Sequence, residues 1–211
     1  MRKITVCTFL TMDGVIQSPG SPEEDTKSDF KWGGWSAHFW DEVMNQAMAK
    51  TTSQPYDLLL GRRTYTIFEA FWPKQEPNPT TETFNRVQKF VVSKSHLDLS
   101  WENSTLITGD VVASLRALKN TEGPDLLVYG SSNLVQTLLK HQLIDVMQNW
   151  IFPITLGTGQ QLFEDGTQPV NWKLLNAEVS TTGVIIVDYA PDGAVKTGQM
   201  SLLNSSSALP A

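Results

Sequence analysis

The chain has 211 residues, and 40% of them are hydrophobic, which is enough to close one sizeable core but leaves little for a second full domain. Lysine and arginine number 16 against 22 acidic residues, and the formal net charge of -6 argues against a nucleic-acid partner, because phosphate binding requires a clustered positive field. The single cysteine, Cys7, excludes an intramolecular disulfide and a Cys-x-x-Cys metal site. We therefore expect one cytoplasmic domain without a metal site.

The first apolar run, residues 4–12, follows two basic residues and so has the outline of a signal peptide. The run is short for the hydrophobic segment of a signal peptide, and it ends at Asp13-Gly14 without a small-residue cleavage pattern. We therefore predict a buried first strand over residues 4–10 instead. No later segment reaches the roughly 18 consecutive apolar residues of a membrane span, so no membrane association is expected.

The segment after the first strand has a different composition. Residues 17–34 are rich in Pro, Ser, Gly and acidic residues, which predicts a long surface loop. Ser36 is then predicted to N-cap a helix that runs to about residue 50. A short apolar strand over residues 56–60 follows, and it stops at Gly61.

The middle of the chain alternates between strands and helices. The predicted elements are strands over residues 89–92, 104–107 and 125–129 and helices over residues 111–119 and 133–140. Helical runs of this length between strands indicate parallel β-α-β crossovers.

The final third contains strands with little helix between them. These strands are predicted over residues 144–152, 172–181 and 184–189. Such a section closes a sheet in antiparallel fashion, so the predicted fold class is α/β with a mixed, mostly parallel sheet. Residues 1–190 form the predicted domain, and the polar residues 191–211 form a flexible tail.

Three predicted strand ends carry polar residues, and ligands of open α/β sheets bind outside the carboxyl ends of the strands. At the first of them, Gly61 lets the chain turn sharply into the next helix, whose first turn contains Thr64. Free N–H groups and the helix dipole favour an anion there, and Arg62 and Arg63 supply bidentate donors for a phosphate. The alternative is a glycine turn with two solvated arginines.

The second strand end is followed by Gly130, Ser131, Ser132 and Asn133, which again combine a glycine with the start of a helix. The two hydroxyl groups suit either a helix cap or a phosphate. Both alternatives stay open.

The third strand end, Ser93-Lys94-Ser95, offers a cation and two hydroxyl groups at the same edge of the sheet. These groups suit the 2′-phosphate of an adenosine, which favours NADPH over NADH. A lysine after a strand is also a common surface feature, so a solvated side chain is the alternative.

Six segments, in this order along the chain, closely resemble a family of the dihydrofolate reductase-like superfamily. They are TMDGVI at 11–16, LLGRRTY at 59–65, FWP at 71–73, KFVVSK at 89–94, DLLVYGS at 125–131, and PITLGTG at 153–159 with Leu162-Phe163. The family includes the reductase domain of bacterial riboflavin biosynthesis, and the chain resembles its stand-alone branch.

The resemblance implies a three-layer α/β fold with a central mixed sheet of about eight strands, NADPH along the strand ends, and hydride transfer to a heterocycle, carbonyl or imine. A non-catalytic nucleotide-binding or regulatory module on the same fold is the alternative. The implied cofactor contacts are Thr8, Phe9 and Ile16 at the nicotinamide, Gly61, Arg62, Arg63, Thr64, Gly130, Ser131, Ser132 and Asn133 at the phosphates, and Ser93 and Lys94 at the adenosine.

The partner that the resemblance implies is a small-molecule substrate, covered by the loop over residues 17–34. Aromatic walls suit a flat substrate, and the candidate substrate-binding residues are Asp13, Trp35, Phe39, Phe71 and Trp72. The proton donor stays unassigned, with Asp13, His38 and Asp41 as candidates. Asp13 is expected to stabilise its own turn, and a lone helix histidine is more often structural or solvated.

Members of this family are often homodimers. The apolar residues 150–152 are predicted either to supply such an interface or to fill the core.

Overall fold

Within residues 1–199, which are the residues that the computed structural model describes, the strands form one eight-stranded sheet. The strands are β1 (Ile4–Thr11), β2 (Tyr56–Gly61), β3 (Lys89–Val92), β4 (Ser104–Ile107), β5 (Asp125–Tyr129), β6 (Val146–Phe152), β7 (Trp172–Val179) and β8 (Ile185–Pro191). Their order across the sheet is β4-β3-β2-β5-β1-β6-β8-β7. Strand β8 runs antiparallel to β6 and β7, and the other neighbouring pairs are parallel. The predicted mixed sheet with an antiparallel closing section is confirmed.

Helices cover both faces of the sheet. The α-helices of the described residues are α1 (Glu42–Thr51), α2 (Arg62–Phe71), α3 (Pro79–Arg86), α4 (Val111–Lys119) and α5 (Ser132–Lys140). Helices α1, α2 and α3 pack on one face, and α4 and α5 pack on the other. This arrangement is the three-layer architecture that the resemblance implied.

Alternate residues of the central strands belong to two separate cores. In β2, Leu58 and Leu60 pack under α1 to α3, whereas Leu59 packs against α4 and α5. All three leucines are fully buried. Because helices cover both faces of the sheet, a central strand is a continuous run of apolar residues, and apolar and polar residues do not alternate along it.

The predicted start of the first helix is wrong. Residues Ala37–Phe39 form a short 3-10 turn, Trp40 is extended, and α1 begins after Asp41. The Asp41 carboxylate accepts the hydrogen bond of the Met44 amide at 2.9 Å, which is the N-cap contact. The Ser36 hydroxyl instead donates to the carbonyl of Pro19 at 2.8 Å, so it holds the preceding loop.

Helix α3 is absent from the sequence-based prediction although its start carries a strong signal. Asn78 and Thr81 form a reciprocal capping box, and Pro79 occupies the first helical position. The helix contributes Phe84 to the core under α1 to α3.

The apolar residues 150–152 mostly fill the core. Trp150 and Phe152 are fully buried, and Ile151 is half-buried.

Of the predicted tail, residues 200–211 lie outside the described residues, and Pro191 is the last residue of β8. Among residues 1–199, no helix is both long enough and apolar enough to cross a membrane.

Candidate functional site

A cavity of about 820 Å³ lies between the carboxyl ends of the central strands and the helices of one face. Its floor includes Cys7 to Phe9 of β1 and Tyr129 of β5. Helices α1, α2 and α3 form its walls, and part of the loop over residues 17–34 covers it. The position agrees with the rule that ligands of α/β sheets bind at the carboxyl ends of the strands.

Two of the helices that begin at this cavity, α2 and α5, have no side-chain N-cap within the described residues. Helix α2 starts after Gly61 and α5 after Ser131, and within the described residues neither N-cap residue makes a side-chain hydrogen bond to its helix. Helix α3 also begins at the cavity, where Pro79 and Thr80 are part of the lining, but it is capped by Asn78, as α1 and α4 are by Asp41 and Asp110. The first N–H groups of α2 and α5 therefore remain free to bind an anion, and both helix dipoles favour one.

The turns before α2 and α5 are in direct contact. A Cβ atom on Gly61 would lie 1.9 Å from Ser131 Oγ, so only glycine permits this approach. Gly130 and Ser131 have φ angles of +62° and +66°, which is the left-handed region. A Cβ atom on Gly130 would meet no described atom within 4 Å, so open space lies beside this turn.

The basic residues of the α2 turn have different partners. Arg63 lines the cavity and forms an ion pair with Asp25 of the covering loop. Arg62 lies outside the cavity lining and donates to the Ser95 hydroxyl at 2.5 Å. This bond places Arg62 beside Lys94, whose side chain is exposed, and Ser93, which is buried and bonded to the Ser95 carbonyl at 2.7 Å. The three strand ends therefore share one rim of the sheet.

The residues assigned to the nicotinamide end also line the cavity. Thr8, Phe9 and Ile16 are part of its wall. Thr8 Oγ1 donates to Asn149 Oδ1 at 2.9 Å, which fixes its side chain. Phe9 packs against Trp40 at a ring separation of 5.8 Å.

A cluster of aromatic rings lines one part of the cavity, which we call the aromatic arm. The rings are those of Tyr56, Phe68, Trp72, Phe84 and Tyr129. Trp72 and Phe84 are 4.4 Å apart, and Phe84 and Tyr129 are 5.7 Å apart. The buried indole N–H of Trp72 has no hydrogen-bond partner within the described residues. Burial raises the pKa of Tyr56 to about 12, so its phenol is neutral at physiological pH.

Of the predicted substrate-binding residues, Trp72 lines the cavity and the others lie elsewhere. Trp35 is buried behind the covering loop, where its indole N–H donates to the Gln17 carbonyl at 2.8 Å. Phe39 packs edge-on against Phe152. Phe71 is half exposed on the outer side of α2.

The three candidate proton donors also lie outside the cavity lining. The Asp13 carboxylate accepts hydrogen bonds from Thr11 and from the amides of Leu156 and Gly157, the last at 2.7 Å. Burial acts to raise the pKa of Asp13, but these hydrogen bonds outweigh it and hold the pKa below its ordinary value. Asp13 therefore stabilises its turn.

Asp41 and His38 occupy structural positions. Hydrogen bonds from the Thr181 side chain and the Met44 amide lower the pKa of Asp41, and they join α1 to the turn between β7 and β8. His38 is exposed in the 3-10 turn, with its ring 4.0 Å from the ring of Phe39.

Two carboxylates of the covering loop line the cavity, and sequence reasoning had singled out neither of them. Glu24 accepts the Gly20 amide at 2.6 Å, and burial raises its pKa. Asp25 accepts the Lys27 amide at 3.0 Å in addition to its ion pair with Arg63. The available signal was an acidic run, residues 23–25, inside a loop expected to be functional.

The strand order and the position of the cavity define the class of this protein: it is an α/β protein with the dihydrofolate reductase-like fold. The family model described as the RibD C-terminal domain matches residues 2–186. The chain belongs to that family, and its fold is of the reductase type.

Individual relatives cover nearly the whole chain. The protein is 28% identical over 196 residues to YyaP of Bacillus subtilis (strain 168), which covers 91% of this chain and 96% of the relative. It is similar to the structure of a pyrimidine reductase-like protein from Corynebacterium diphtheriae NCTC, with a TM-score of 0.63, 12% identity, and 90% and 92% of the two chains covered. It is also similar to dihydrofolate reductase from Enterococcus faecalis complexed with NADP(H) and RAB-propyl, with a TM-score of 0.58, 15% identity, and 90% and 96% covered.

Proposed function

We propose that the protein is an NADPH-dependent reductase that transfers hydride to a small heterocyclic or carbonyl- or imine-containing substrate. One observation carries the proposal: the free N-termini of α2 and α5 meet at Gly61 and Ser131 on the edge of one large cavity. Two converging helix N-termini with an adjacent guanidinium suit a pyrophosphate.

The cofactor assignments follow from this geometry. The first turns of α2 and α5, including Thr64, Ser132 and Asn133, would hold the pyrophosphate together with Arg63, since all four residues line the cavity. Arg62 and Lys94 would hold the 2′-phosphate on the exposed rim, and the buried Ser93 would position the turn that carries Lys94 through its bond to the Ser95 carbonyl. Thr8, Phe9 and Ile16, which line the same cavity as the aromatic arm, would hold the nicotinamide, the part of the cofactor that supplies a hydride.

The substrate occupies the aromatic arm. Its flat ring packs against Phe68, Trp72 and Phe84, which also exclude water from the reacting atoms. The bound cofactor supplies the hydride. The acceptor carbon gains a hydride, and the adjacent oxygen or nitrogen gains a proton. The protein positions the two rings against each other, which lowers the entropic cost of the reaction.

The test is a thermal-shift titration with NADPH and NADH, because a ligand that binds the folded state raises the melting temperature. Replacing Arg62 with Ala removes a charged hydrogen-bond donor, so NADPH affinity falls about tenfold or more while NADH affinity changes little. Arg116→Ala is the matched control, since Arg116 is an exposed arginine on α4 that donates to the His141 carbonyl. A melting temperature that NADPH leaves unchanged would overturn the proposal.

A nucleotide-binding module without catalysis is the second candidate. It is favoured by the structural positions of Asp13, His38 and Asp41, each outside the cavity lining. Loss of the absorbance of reduced nicotinamide, with a panel of quinones, pterins and aminopyrimidines, separates the two. Saturable NADPH binding with turnover of no acceptor supports the module.

Two further parts of the proposal stay predictions. A homodimer is supported by exposed apolar side chains on the edge strand β7, where Leu174, Leu175 and Val179 are more than half exposed. Residence in the cytoplasm rests on the single cysteine, Cys7, a buried free thiol.

A further inference from the structure

Glu24 is the unpaired carboxyl group of the cavity wall. Within the described residues, the acidic side chains that line the cavity are those of Glu24 and Asp25. Asp25 forms an ion pair with Arg63 and also accepts a hydrogen bond from Gln17. Glu24 forms no ion pair within residues 1–199.

The Glu24 carboxyl group is held in position by one of its two oxygens. Oε2 accepts the amide of Gly20 at 2.6 Å and that of Ser21 at 3.4 Å. The other oxygen, Oε1, makes no hydrogen bond within the described part of the chain. The carboxyl group is thus anchored to the covering loop through one oxygen, and the other remains available to a ligand.

The surroundings of Glu24 favour its protonated form. Burial raises the pKa of Glu24, and the negative charge of Asp25 adds to this, although the Gly20 and Ser21 amides act against it. The other charged groups that line the same cavity are Lys27 on the loop and Arg63 on α2. Arg63 is already paired with Asp25, so its charge is partly balanced.

We propose that Glu24 is the proton donor of the reaction, an inference that rests on the proposed reductase function. The acceptor carbon takes the hydride with its electron pair, and the π electrons of the C=O or C=N bond move to the heteroatom. The proton on Glu24 Oε1 passes to that heteroatom and leaves a carboxylate, which solvent then reprotonates.

The test compares Glu24→Gln with Glu23→Gln, its exposed neighbour, in the same assay of NADPH oxidation with quinones, pterins and aminopyrimidines. Glu24→Gln keeps the size and the Gly20 contact but cannot donate a carboxyl proton, so kcat falls about 100-fold or more. Its NADPH-induced thermal shift stays within the range of the wild type. Glu23→Gln retains full turnover, and Glu24→Asp restores part of it.

The pH profile gives a readout that a structural role would not produce. In the wild type, kcat falls about tenfold per pH unit above the raised pKa of Glu24, because the acid form disappears. In Glu24→Gln this limb is lost. A carbon-13 titration of the glutamate carboxyl groups supplies the same pKa without any substrate.

Each outcome bears on a different claim. Full turnover in Glu24→Gln, or an unchanged pH limb, overturns the role of Glu24 and leaves the reductase standing. Loss of the NADPH thermal shift in this variant also overturns it, because Glu24 then supports binding. An NADPH-insensitive wild type, or one that turns over no acceptor, overturns the reductase and Glu24 together.

Discussion

At the scale of single residues, Gly61 is the position on which the contact between the turns before α2 and α5 depends. Its backbone angles, φ −76° and ψ 157°, are open to any residue, so its requirement for glycine is steric. The contact with Ser131 brings two helix N-termini within reach of one ligand.

Replacing Gly61 with Ala should therefore separate the two turns. The added Cβ atom would collide with Ser131, so the free energy of unfolding falls by about 1–3 kcal/mol and NADPH binding weakens. Urea unfolding with linear extrapolation measures the first effect, and thermal shift measures the second. The double variant Gly61→Ala/Ser131→Gly removes the colliding side chain and should recover most of the loss. No recovery in the double variant would contradict the steric explanation.

At the scale of elements, side-chain capping separates the two helices whose N-termini are proposed to bind phosphate, α2 and α5, from the other α-helices. Helix α3 has a complete capping box, whereas α2 and α5 begin without side-chain caps within the described residues. A helix end without a cap costs stability unless a ligand or water binds its free N–H groups.

Replacing Asn78 with Ala should lower the free energy of unfolding by about 1 kcal/mol, because the Thr80 and Thr81 amides lose their acceptor. NADPH affinity should stay unchanged. Asn133→Ala, at the start of α5, should give the opposite pattern, with stability nearly unchanged and NADPH binding weaker. Chemical denaturation and ligand titration of both variants measure the two quantities. Equal losses of stability in both would refute the distinction.

The sequence predicts the parallel strands well and the start of α1 poorly, for physical reasons. Strand β5 contains the apolar residues 126–129, with Pro124 and Gly130 on either side of the strand, and local signals of this kind need no tertiary information. Ser36 and Asp41 are both good N-caps by residue type. The contacts of Asp41 with Thr181 and of Ser36 with Pro19, both distant in sequence, decide between them.

Some residues of the candidate site can likewise be predicted from the sequence, and others are revealed only by the fold. The turns around Gly61 and Gly130 carry recognisable residue patterns, and the structure brings them together. Glu24 belongs to an acidic run that looks like any solvated loop, and only the folded loop reveals its burial. Phe39 and Phe71 are aromatic residues at positions in the sequence that suit a substrate pocket, but neither side chain lines the cavity. Phe39 packs against Phe152, and Phe71 is half exposed.

At the scale of the whole molecule, the pair between Arg63 and Asp25 connects the covering loop to the sheet edge. Asp25 is nearly buried, and the Arg63 side chain is 42% exposed. A phosphate bound by Arg63 would have to compete with this carboxylate, so the proposed cofactor binding would be coupled to the position of the loop.

Replacing Asp25 with Asn should tighten NADPH binding by about twofold to fivefold, which corresponds to the ~0.5–1 kcal/mol of a partly exposed ion pair. The change is isosteric and releases the guanidinium for the phosphate. Asp29→Asn removes the same charge from an exposed site on the same loop and is the control. Isothermal titration at one salt concentration measures the affinities. Weaker binding in Asp25→Asn would mean that Asp25 orients Arg63 instead of competing for it.

The indole rings around the cavity give the protein an intrinsic optical reporter. The chain has seven tryptophans, and two of them, Trp40 and Trp72, line the cavity. Trp40 lies next to Phe9 and Trp72 lies next to Phe84, so the two fluorophores have different neighbours in the cavity lining. Tryptophan emission from variants in which Trp40 or Trp72 is replaced can therefore distinguish a ligand that binds beside Phe9 from a ligand that binds beside Phe84, without any label.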